Sequence, residues 1–390
     1  MLIPQGFRFA VAQAGFKKPG RFDLGVVASK TPASSAAVFT TNKFKAAPVL
    51  VAMEAVDASP TARAVVVNSG QANACTGDEG LDNCRATLEL VAGNLGLEEA
   101  DILPMSTGVI GAQLKMELWE AAMPELRESY GKAGPLDLAK AIMTTDKFPK
   151  LAWARVGDTK AVLLGVCKGA GMISPNMATM LSVVLTDAAV EPELWRDMVR
   201  QAADESFNRI TVDGDTSTND CVFGLANGAS GVTVDEQGAD ALYEALVELC
   251  QNLAYMIVQD AEGGTRVMRI TVAGAVDDAQ AELAVRAVGN SPLVKTALYG
   301  KDANWGRIAA ALGRSGAEFD PASVTIAIGG MVIFEHGQPV ALDIDALMAP
   351  VLARQDVDID VTLGDGPGGA VLLASDLTHE YISINADYRT

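Results

Sequence analysis

The chain has 390 residues, of which 49% are hydrophobic and 5% aromatic. This is more material than one hydrophobic core usually holds, so we expect two lobes. The 49 acidic residues outnumber the 30 Lys and Arg and give a formal net charge of −19. Such a chain repels phosphates, and no basic cluster interleaved with aromatics offsets this charge locally, which excludes nucleic acid as an expected partner.

The cysteines and the opening segment indicate a cellular compartment. The five cysteines form no CxxC pair and are an odd number, so we expect no disulfide framework and a reducing environment. No apolar run approaches the ~20 residues of a membrane helix. The opening segment lacks the apolar core of a secretory signal and the Arg- and Ser-rich composition of a transit peptide. We expect a cytoplasmic protein without membrane contact.

Histidine is scarce, because the chain contains only His336 and His379. His336 lies in a Glu-His-Gly-Gln-Pro segment that suits a turn between two strand-like runs, and His379 lies among polar residues. Neither has the spacing of a metal ligand or of a catalytic histidine. A His-based triad and a His-rich zinc site are therefore excluded.

Short apolar runs and segments of helical periodicity follow one another in the first half. Residues 64–67 predict a buried strand and residues 84–95 predict a helix. Two further strands are predicted at residues 161–166 and 180–185, with a glycine-rich loop over residues 168–175. This mixture indicates an α/β lobe.

The next predicted elements are two helices, and half-buried strands end the chain. Pro192 suits the first turn of one helix, and the other helix carries apolar residues at helical spacing from Leu242 to Ile257. Strict alternation predicts strands at residues 357–363 and 381–386. The glycine-rich run 364–369 predicts a turn, because it lacks the Lys-Ser/Thr end of a phosphate loop.

We place a lobe boundary between Gly264 and Gln280, which gives a main α/β domain over residues 1–270 and a smaller C-terminal α/β lobe over residues 271–390. The fold class predicted from this organisation is α/β, with layered sheets and helices.

The most informative segment runs from Lys168 to residue 181 and reads KGAGMISPNMATML. Its glycines let the backbone approach a ligand closely, and Pro175 fixes a turn. A dinucleotide site is excluded, because the third glycine is missing and Pro175 falls where the crossover helix should begin. Judged by its residue type alone, Thr179 at this junction of loop and strand is a structural residue.

The same segment resembles the cleavage-site motif of the ornithine acetyltransferase family, the glutamate N-acetyltransferases of arginine biosynthesis. The resemblance covers nearly the whole chain. Further blocks that look like this family lie at residues 67–77, 106–111, 144–149, 207–220, 295–308 and 384–390.

The resemblance implies that the chain cuts its own Ala178–Thr179 bond, which gives fragments 1–178 and 179–390. In that family the freed Thr, here Thr179, is the nucleophile of a ping-pong acetyl transfer. The chemistry is sound, since a hydroxyl attacks the preceding carbonyl and water then releases an N-terminal Thr. Its α-amine, with an ordinary pKa of ~7.7–8.0, can act as the general base that a chain poor in histidine otherwise lacks.

The resemblance also assigns the remaining site residues. Thr107 and Gly108 would stabilise the oxyanion through a hydroxyl and a backbone N–H. The substrate N-acetylornithine carries a carboxylate, an acetamide and a side-chain amine, and Glu262 suits the amine. The full set of implied substrate-binding residues is Thr145, Lys168, Thr179, Glu262, Asn385 and Thr390.

Two blocks depart from the family pattern. Ala170 stands where Ser is common, and Gly264 and Arg266 stand where Ala and Lys are common. These changes lie beside the expected site and leave the reaction unchanged.

Three aspartates, Asp213, Asp215 and Asp220, have a spacing similar to that of a calcium loop. Thr218 takes the place of the obligatory glycine, and Gly224 takes that of the bidentate Glu, so we expect no metal there. The three aspartates stay unassigned. No metal or resident cofactor is expected.

The expected activity is acetyl transfer from N²-acetylornithine to glutamate. In a second form of this hypothesis, the enzyme also accepts acetyl-CoA as a co-substrate. The sequence leaves that question open. One alternative is an N-terminal-nucleophile aminopeptidase or amidase of related architecture, in which water takes the acyl group. Another is an uncleaved protein that only binds small amino acids. The resemblance implies an α/β sandwich like that of ornithine acetyltransferases and a heterotetramer with two copies of each fragment.

Overall fold

The computed structural model describes residues 1–174, 180–341 and 343–387. Its strands, numbered along the chain, are β1 Phe7–Ala12, β2 Leu24–Phe39, β3 Thr61–Gln71, β4 Ile102–Val109, β5 Lys150–Arg155, β6 Val162–Lys168, β7 Leu181–Thr186, β8 Ile210–Thr211, β9 Cys221–Ala226, β10 Val267–Ala275, β11 Thr325–Ile328, β12 Met331–Glu335, β13 Gln338–Pro339, β14 Asp356–Thr362 and β15 Gly368–Ser375.

The helices are α1 Ala47–Ala58, α2 Gly77–Leu95, α3 Met116–Ser129, α4 Pro135–Ile142, α5 Pro192–Asp204, α6 Glu236–Gln259, α7 Asp278–Gly289, α8 Pro292–Tyr299, α9 Trp305–Gly313, α10 Ile344–Leu352 and α11 His379–Asp387. This mixture confirms the predicted α/β class. None of the helices in the described ranges is long and apolar enough to cross a membrane.

The chain divides into two compact units. Among the described residues, the first contains Met1–Asn208 and Asp215–Ile257, and the second contains Arg209–Gly214 and residues 258–387. The predicted boundary at residues 270/271 falls inside β10. The short segment Arg209–Gly214 joins the second unit because β8 pairs with β15.

The first unit is built on one mixed sheet in the strand order β4-β3-β2-β9-β7-β6-β5, with β1 paired to β2. Both faces of this sheet are buried. In β3, for example, Val65 and Val67 pack in one cluster with Leu138 of α4, whereas Ala64 and Val66 pack in another with residues of α2 and α3. Burial on both faces explains why the strands read as continuous apolar runs.

The predicted elements of this unit are confirmed. Strands β3, β6 and β7 and helix α2 lie where the apolar runs placed them, and α5 begins at Pro192. The apolar stripe of α5 is buried, as Trp195 and Met198 show, and α6 buries its own stripe from Leu242 to Ile257. Both stripes are core faces.

The second unit has a sheet in the order β13-β12-β11-β14-β10-β15-β8. Its strands alternate between buried and exposed positions, as predicted for residues 357–363. Val357, Ile359 and Val361 of β14 are buried in the core of this unit, and the aspartates between them are exposed. The predicted turn after β14 is present, since β15 begins at Gly368.

The prediction of a strand at residues 381–386 is wrong, because this segment lies in helix α11. The hydroxyl of Thr378 accepts a hydrogen bond from the backbone N–H of Tyr381, which is typical of a helix N-cap. Within α11, Tyr381 and Ile384 are half-buried and Ile382 is 63% exposed, which is a helical and not an alternating pattern. Six residues are too few to distinguish the alternating period of a strand from the period of a helix. Thr378, a typical N-cap residue, was the sequence signal that favoured a helix.

Candidate active site

Thr107 and Gly108, the expected oxyanion pair, lie at the end of β4. This strand runs parallel to β3, and the pairing becomes irregular where Gln71 lies opposite both Thr107 and Val109. Gly108 has φ of 134°, and a Cβ added to it would lie 2.3 Å from the carbonyl carbon of Gly70. Only glycine fits this close approach of two backbones.

Lys168 reaches the same place from β6. Its ammonium Nζ donates a hydrogen bond to the Thr107 hydroxyl Oγ1 at 3.2 Å. Two residues that the sequence separates by 61 positions are therefore in direct contact. The contact puts a positive charge beside a hydroxyl and a glycine backbone, which is an arrangement that stabilises a developing oxyanion.

The position of Lys168 depends on a buried ion pair that the sequence analysis missed. The ammonium of Lys150 lies 2.7 Å from the carboxylate Oδ1 of Asp146, and both side chains are fully buried. The same Oδ1 accepts a hydrogen bond from the backbone N–H of Gly169 at 2.8 Å, and Oδ2 accepts one from Thr144 at 2.9 Å. Asp146 thus joins the end of β6 to the loop that carries Thr145.

The environment of Asp146 keeps it charged. Burial alone would raise the pKa of this carboxyl, but the nearby Lys150 and Lys168 and the hydrogen bonds to the carboxylate lower the pKa to about 2. Thr145, a predicted substrate-binding residue, is half-buried beside Asp146. The buried carboxylate therefore fixes a predicted binding loop and the last residues of β6 together.

A second buried network holds the end of β4. The Asn219 side-chain amide donates hydrogen bonds to the carbonyl of Ser106 at 2.8 Å and to that of Ala72 at 2.6 Å. The Ser106 hydroxyl donates to Oδ1 of Asn68 at 2.6 Å. Asn219 lies in one of the family-like blocks, but its partners are more than a hundred residues away, so no local pattern could have identified them.

Glu262 and Asn385 are brought together in the second unit. The side-chain amide of Asn385 donates to the Glu262 carboxylate at 2.9 Å and to the backbone carbonyl of Tyr381 at 3.0 Å. Glu262 is 8% exposed. The next residue, Gly263, has φ of 67° and passes so close to Tyr381 that an added Cβ would lie 2.5 Å from its backbone nitrogen. The contact between Glu262 and Asn385 exists because α11 is a helix.

Two of the residues that depart from the family pattern, Arg266 and Ala170, lie in well-packed surroundings. Arg266 donates to the carbonyl of Leu352 and lies 3.7 Å from the Asp376 carboxylate, so its side chain packs within the second unit. Ala170 is buried. The residues Ala178, Thr179 and Thr390, on which the predicted cleavage and part of the predicted binding depend, lie outside the described residues.

Neither histidine is part of these networks. His336 has φ of 51° in the turn between β12 and β13, and His379 packs edge-on against the ring of Tyr299. No group of three or more His, Cys, Asp or Glu within residues 1–174, 180–341 and 343–387 is arranged to hold a metal ion. All five cysteines are free thiols.

The comparison with known proteins agrees with the geometry. The model of the ArgJ family matches residues 8–390. The chain belongs to the ArgJ family. It is therefore an acyltransferase of arginine biosynthesis, as the resemblance in the sequence implied.

Curated relatives match over almost the whole length. The arginine biosynthesis bifunctional protein ArgJ of Nitratidesulfovibrio vulgaris is 59% identical over 99% of both chains. The ArgJ protein of Geobacter sulfurreducens is 50% identical, again over 99% of each. A crystal structure of the ArgJ protein from Bacillus halodurans is 39% identical and superposes with a TM-score of 0.52, covering 54% of this chain and 100% of that one.

Replacing Lys150 tests the buried ion pair. Lys150→Met should lower the free energy of unfolding by about 3–5 kcal/mol, because it leaves the Asp146 carboxylate buried without its closest cation. Urea unfolding measures this loss. The matched control is Arg200→Met, whose pair with Asp197 is mostly exposed and should contribute about 0–1 kcal/mol. Equal losses in the two variants would contradict the assignment.

Proposed function

We propose that the chain is a glutamate N-acetyltransferase that transfers acetyl from N²-acetylornithine to glutamate through an acetyl-Thr179 intermediate. The enzyme first cuts its own Ala178–Thr179 bond, and the freed amino group of Thr179 then serves as general base. The observation that carries this proposal is the contact between the ammonium of Lys168 and the hydroxyl of Thr107 beside Gly108.

This contact supports acyl transfer for an electrostatic reason. Attack on an acetamide or on a peptide carbonyl develops a negative oxygen, and fixed donors near that oxygen lower the barrier. The Thr107 hydroxyl, the Gly108 N–H and the Lys168 ammonium supply such donors at the end of β4. Self-cleavage and acetyl transfer both pass through a tetrahedral oxyanion, so one set of donors serves both reactions.

The Glu262 and Asn385 pair supports recognition of ornithine. A carboxylate that is 8% exposed and held by one side-chain amide is suited to binding a substrate ammonium group. We assign the side-chain amine of N-acetylornithine to Glu262, and Thr145 and Thr390 to further substrate contacts. An aminopeptidase or amidase of related architecture would use the same donors with water as acceptor, and the family membership favours the transferase.

We propose acetyl-CoA as a second acetyl donor for this enzyme. The curated relatives are named bifunctional proteins, and an acetyl-Thr enzyme formed from acetyl-CoA would let this chain begin the pathway as well as recycle its acetyl group. An assay with acetyl-CoA and glutamate, without acetylornithine, should yield N-acetylglutamate. A rate no higher than that of a Thr179→Ala control would leave the chain monofunctional.

We further propose that the enzyme works in the cytoplasm as a heterotetramer of two 1–178 and two 179–390 fragments, with no resident cofactor. The family membership supports this assembly.

Replacing the nucleophile tests the cleavage. Wild-type protein should run as two fragments on a denaturing gel, and N-terminal sequencing of the second should give Thr-Met-Leu-Ser. Thr179→Ala should remain one chain and lose transfer, since it has no hydroxyl to attack the Ala178 carbonyl. Thr179→Ser, which keeps the hydroxyl, is the control. Transfer that survives in Thr179→Ala would show that another residue is the nucleophile.

Replacing Thr107 tests the oxyanion assignment. Thr107→Ala should lower kcat by about 10²–10³-fold with little change in KM, because the hydroxyl acts mainly on the transition state. Thr107→Ser retains the hydroxyl and should stay within about tenfold of wild type by the same argument. Steady-state kinetics on fully cleaved protein measures both. A rise in KM with unchanged kcat would instead make Thr107 a binding residue.

A further inference from the structure

Asp213, one of the aspartates that the sequence left unassigned, binds a residue of helix α11. The phenol hydroxyl of Tyr381 donates a hydrogen bond to the Asp213 carboxylate Oδ2 at 3.2 Å, across 168 positions of the chain. Both side chains are half-buried and belong to the second unit. A carboxylate is a stronger acceptor than a neutral oxygen. The contact therefore fixes α11 to the segment that follows β8.

Helix α11 depends on such polar contacts, because it adds nothing to a hydrophobic core. None of its described residues, His379–Asp387, is buried, and a helix of nine residues is too short to be stable alone. Its start is held by Thr378, whose hydroxyl donates to the carbonyl of Gly263 at 2.8 Å and accepts from the N–H of Tyr381 at 3.3 Å. Hydrogen bonds therefore set the position of this helix.

Asn385 lies one helical turn after Tyr381 and is held by it. The side-chain amide of Asn385 donates to the Tyr381 backbone carbonyl at 3.0 Å and to the Glu262 carboxylate at 2.9 Å. Tyr381 is thus anchored on Asp213 through its phenol and holds Asn385 through its carbonyl. A movement of Tyr381 away from Asp213 would carry Asn385 away from Glu262.

Asp213 belongs to a buried charge network of the second unit. Lys295 is 3% exposed, and its ammonium donates to the carbonyl of Ser375 at 2.6 Å. Burial lowers the pKa of Lys295 to about 8, and the negative charges of Asp213 and Asp376 oppose this effect. Because Asp213 also stabilises a buried ammonium, replacing it would disturb more than the helix. Tyr381 is the more selective residue to change.

We propose that Tyr381 is a positioning residue for the substrate amine, because its hydrogen bond to Asp213 holds α11 where Asn385 meets Glu262. Tyr381 acts through Asn385 and not on the reacting atoms. This inference rests on the proposed binding of the side-chain amine of N²-acetylornithine to Glu262.

Such a role has a specific kinetic signature. The side-chain amine is remote from the acetyl group and is not changed by the reaction, so Glu262 binds it equally in the ground state and in the transition state. Loss of an interaction of this kind raises KM and leaves kcat unchanged. A donor without the amine should not be affected.

The first test compares the steady-state kinetics of mature wild type, Tyr381→Phe and Tyr299→Phe. Tyr381→Phe removes one hydroxyl and should raise KM for N²-acetylornithine by about tenfold with kcat unchanged, which is the loss expected for one hydrogen bond to a charged group. The control Tyr299→Phe changes an exposed ring that packs against His379 of the same helix, and it should behave like wild type. The inhibition constant of N²-acetylnorvaline, which has the same carbon chain and no side-chain amine, should be equal in all three proteins.

The outcomes separate this inference from the proposed function. A wild-type KM in Tyr381→Phe, or an equal rise in the inhibition constant of N²-acetylnorvaline, would overturn the role of Tyr381 while the proposed function stands. A wild type that transfers no acetyl from N²-acetylornithine would contradict the proposed function itself.

Hydrogen exchange tests the same contact without turnover, whether or not the chain is cleaved. The backbone amides of residues 379–387 should exchange about tenfold faster in Tyr381→Phe than in wild type or Tyr299→Phe. The melting temperatures of the three proteins should agree, because α11 has no buried residue among those described. Exchange of the helix at the wild-type rate, or a lower melting temperature with unchanged exchange, would overturn the proposal.

Discussion

The buried carboxylate of Asp146 is the contact on which the arrangement of the first unit depends. It neutralises the fully buried Lys150 and binds the backbone N–H groups of Thr144 and Gly169. An unpaired charge at this depth would be strongly unfavourable, so the loop before β5 and the end of β6 must stay together. Lys168 immediately precedes Gly169, and its reach to Thr107 follows from that constraint.

A backbone constraint complements this ion pair at the end of β4. Gly108 can adopt its left-handed conformation against Gly70 only because it has no side chain. Asn219 then fixes the carbonyls of Ser106 and Ala72 from the segment that precedes β9. The proposed oxyanion donors are thus held by regular elements and buried networks, as a preorganised site requires.

Helices and strands were predicted correctly wherever the hydrophobic residues of a segment followed one clear pattern. The apolar runs of β6 and β7 and the long stripes of α5 and α6 have no competing interpretation, and the alternation in β14 matches its exposed aspartates. The hydrophobic pattern of residues 381–386 fits both a strand and a helix, because the segment has only six positions. Their helix is decided by the Thr378 cap and by contacts of Tyr381 and Asn385 within the second unit.

The site was predictable only in part. Thr107, Lys168 and Glu262 came from the resemblance to a family, since each is an ordinary turn or surface residue by type and spacing. Asp146 lay in a family-like block, yet its pairing with Lys150 depends on how the loop folds. The partners of Asn219 are distant in sequence, so no local pattern encodes them.

The proposed reaction requires that Thr179 carry the acetyl group. Mature enzyme incubated with N²-acetylornithine and no glutamate, then quenched in acid, should show one added acetyl group on the 179–390 fragment by intact-mass spectrometry. Fragmentation should place that group on Thr179, and addition of glutamate should remove it. An unmodified fragment in a preparation that transfers acetyl once glutamate is added, or an acetyl group on another residue, would contradict this assignment.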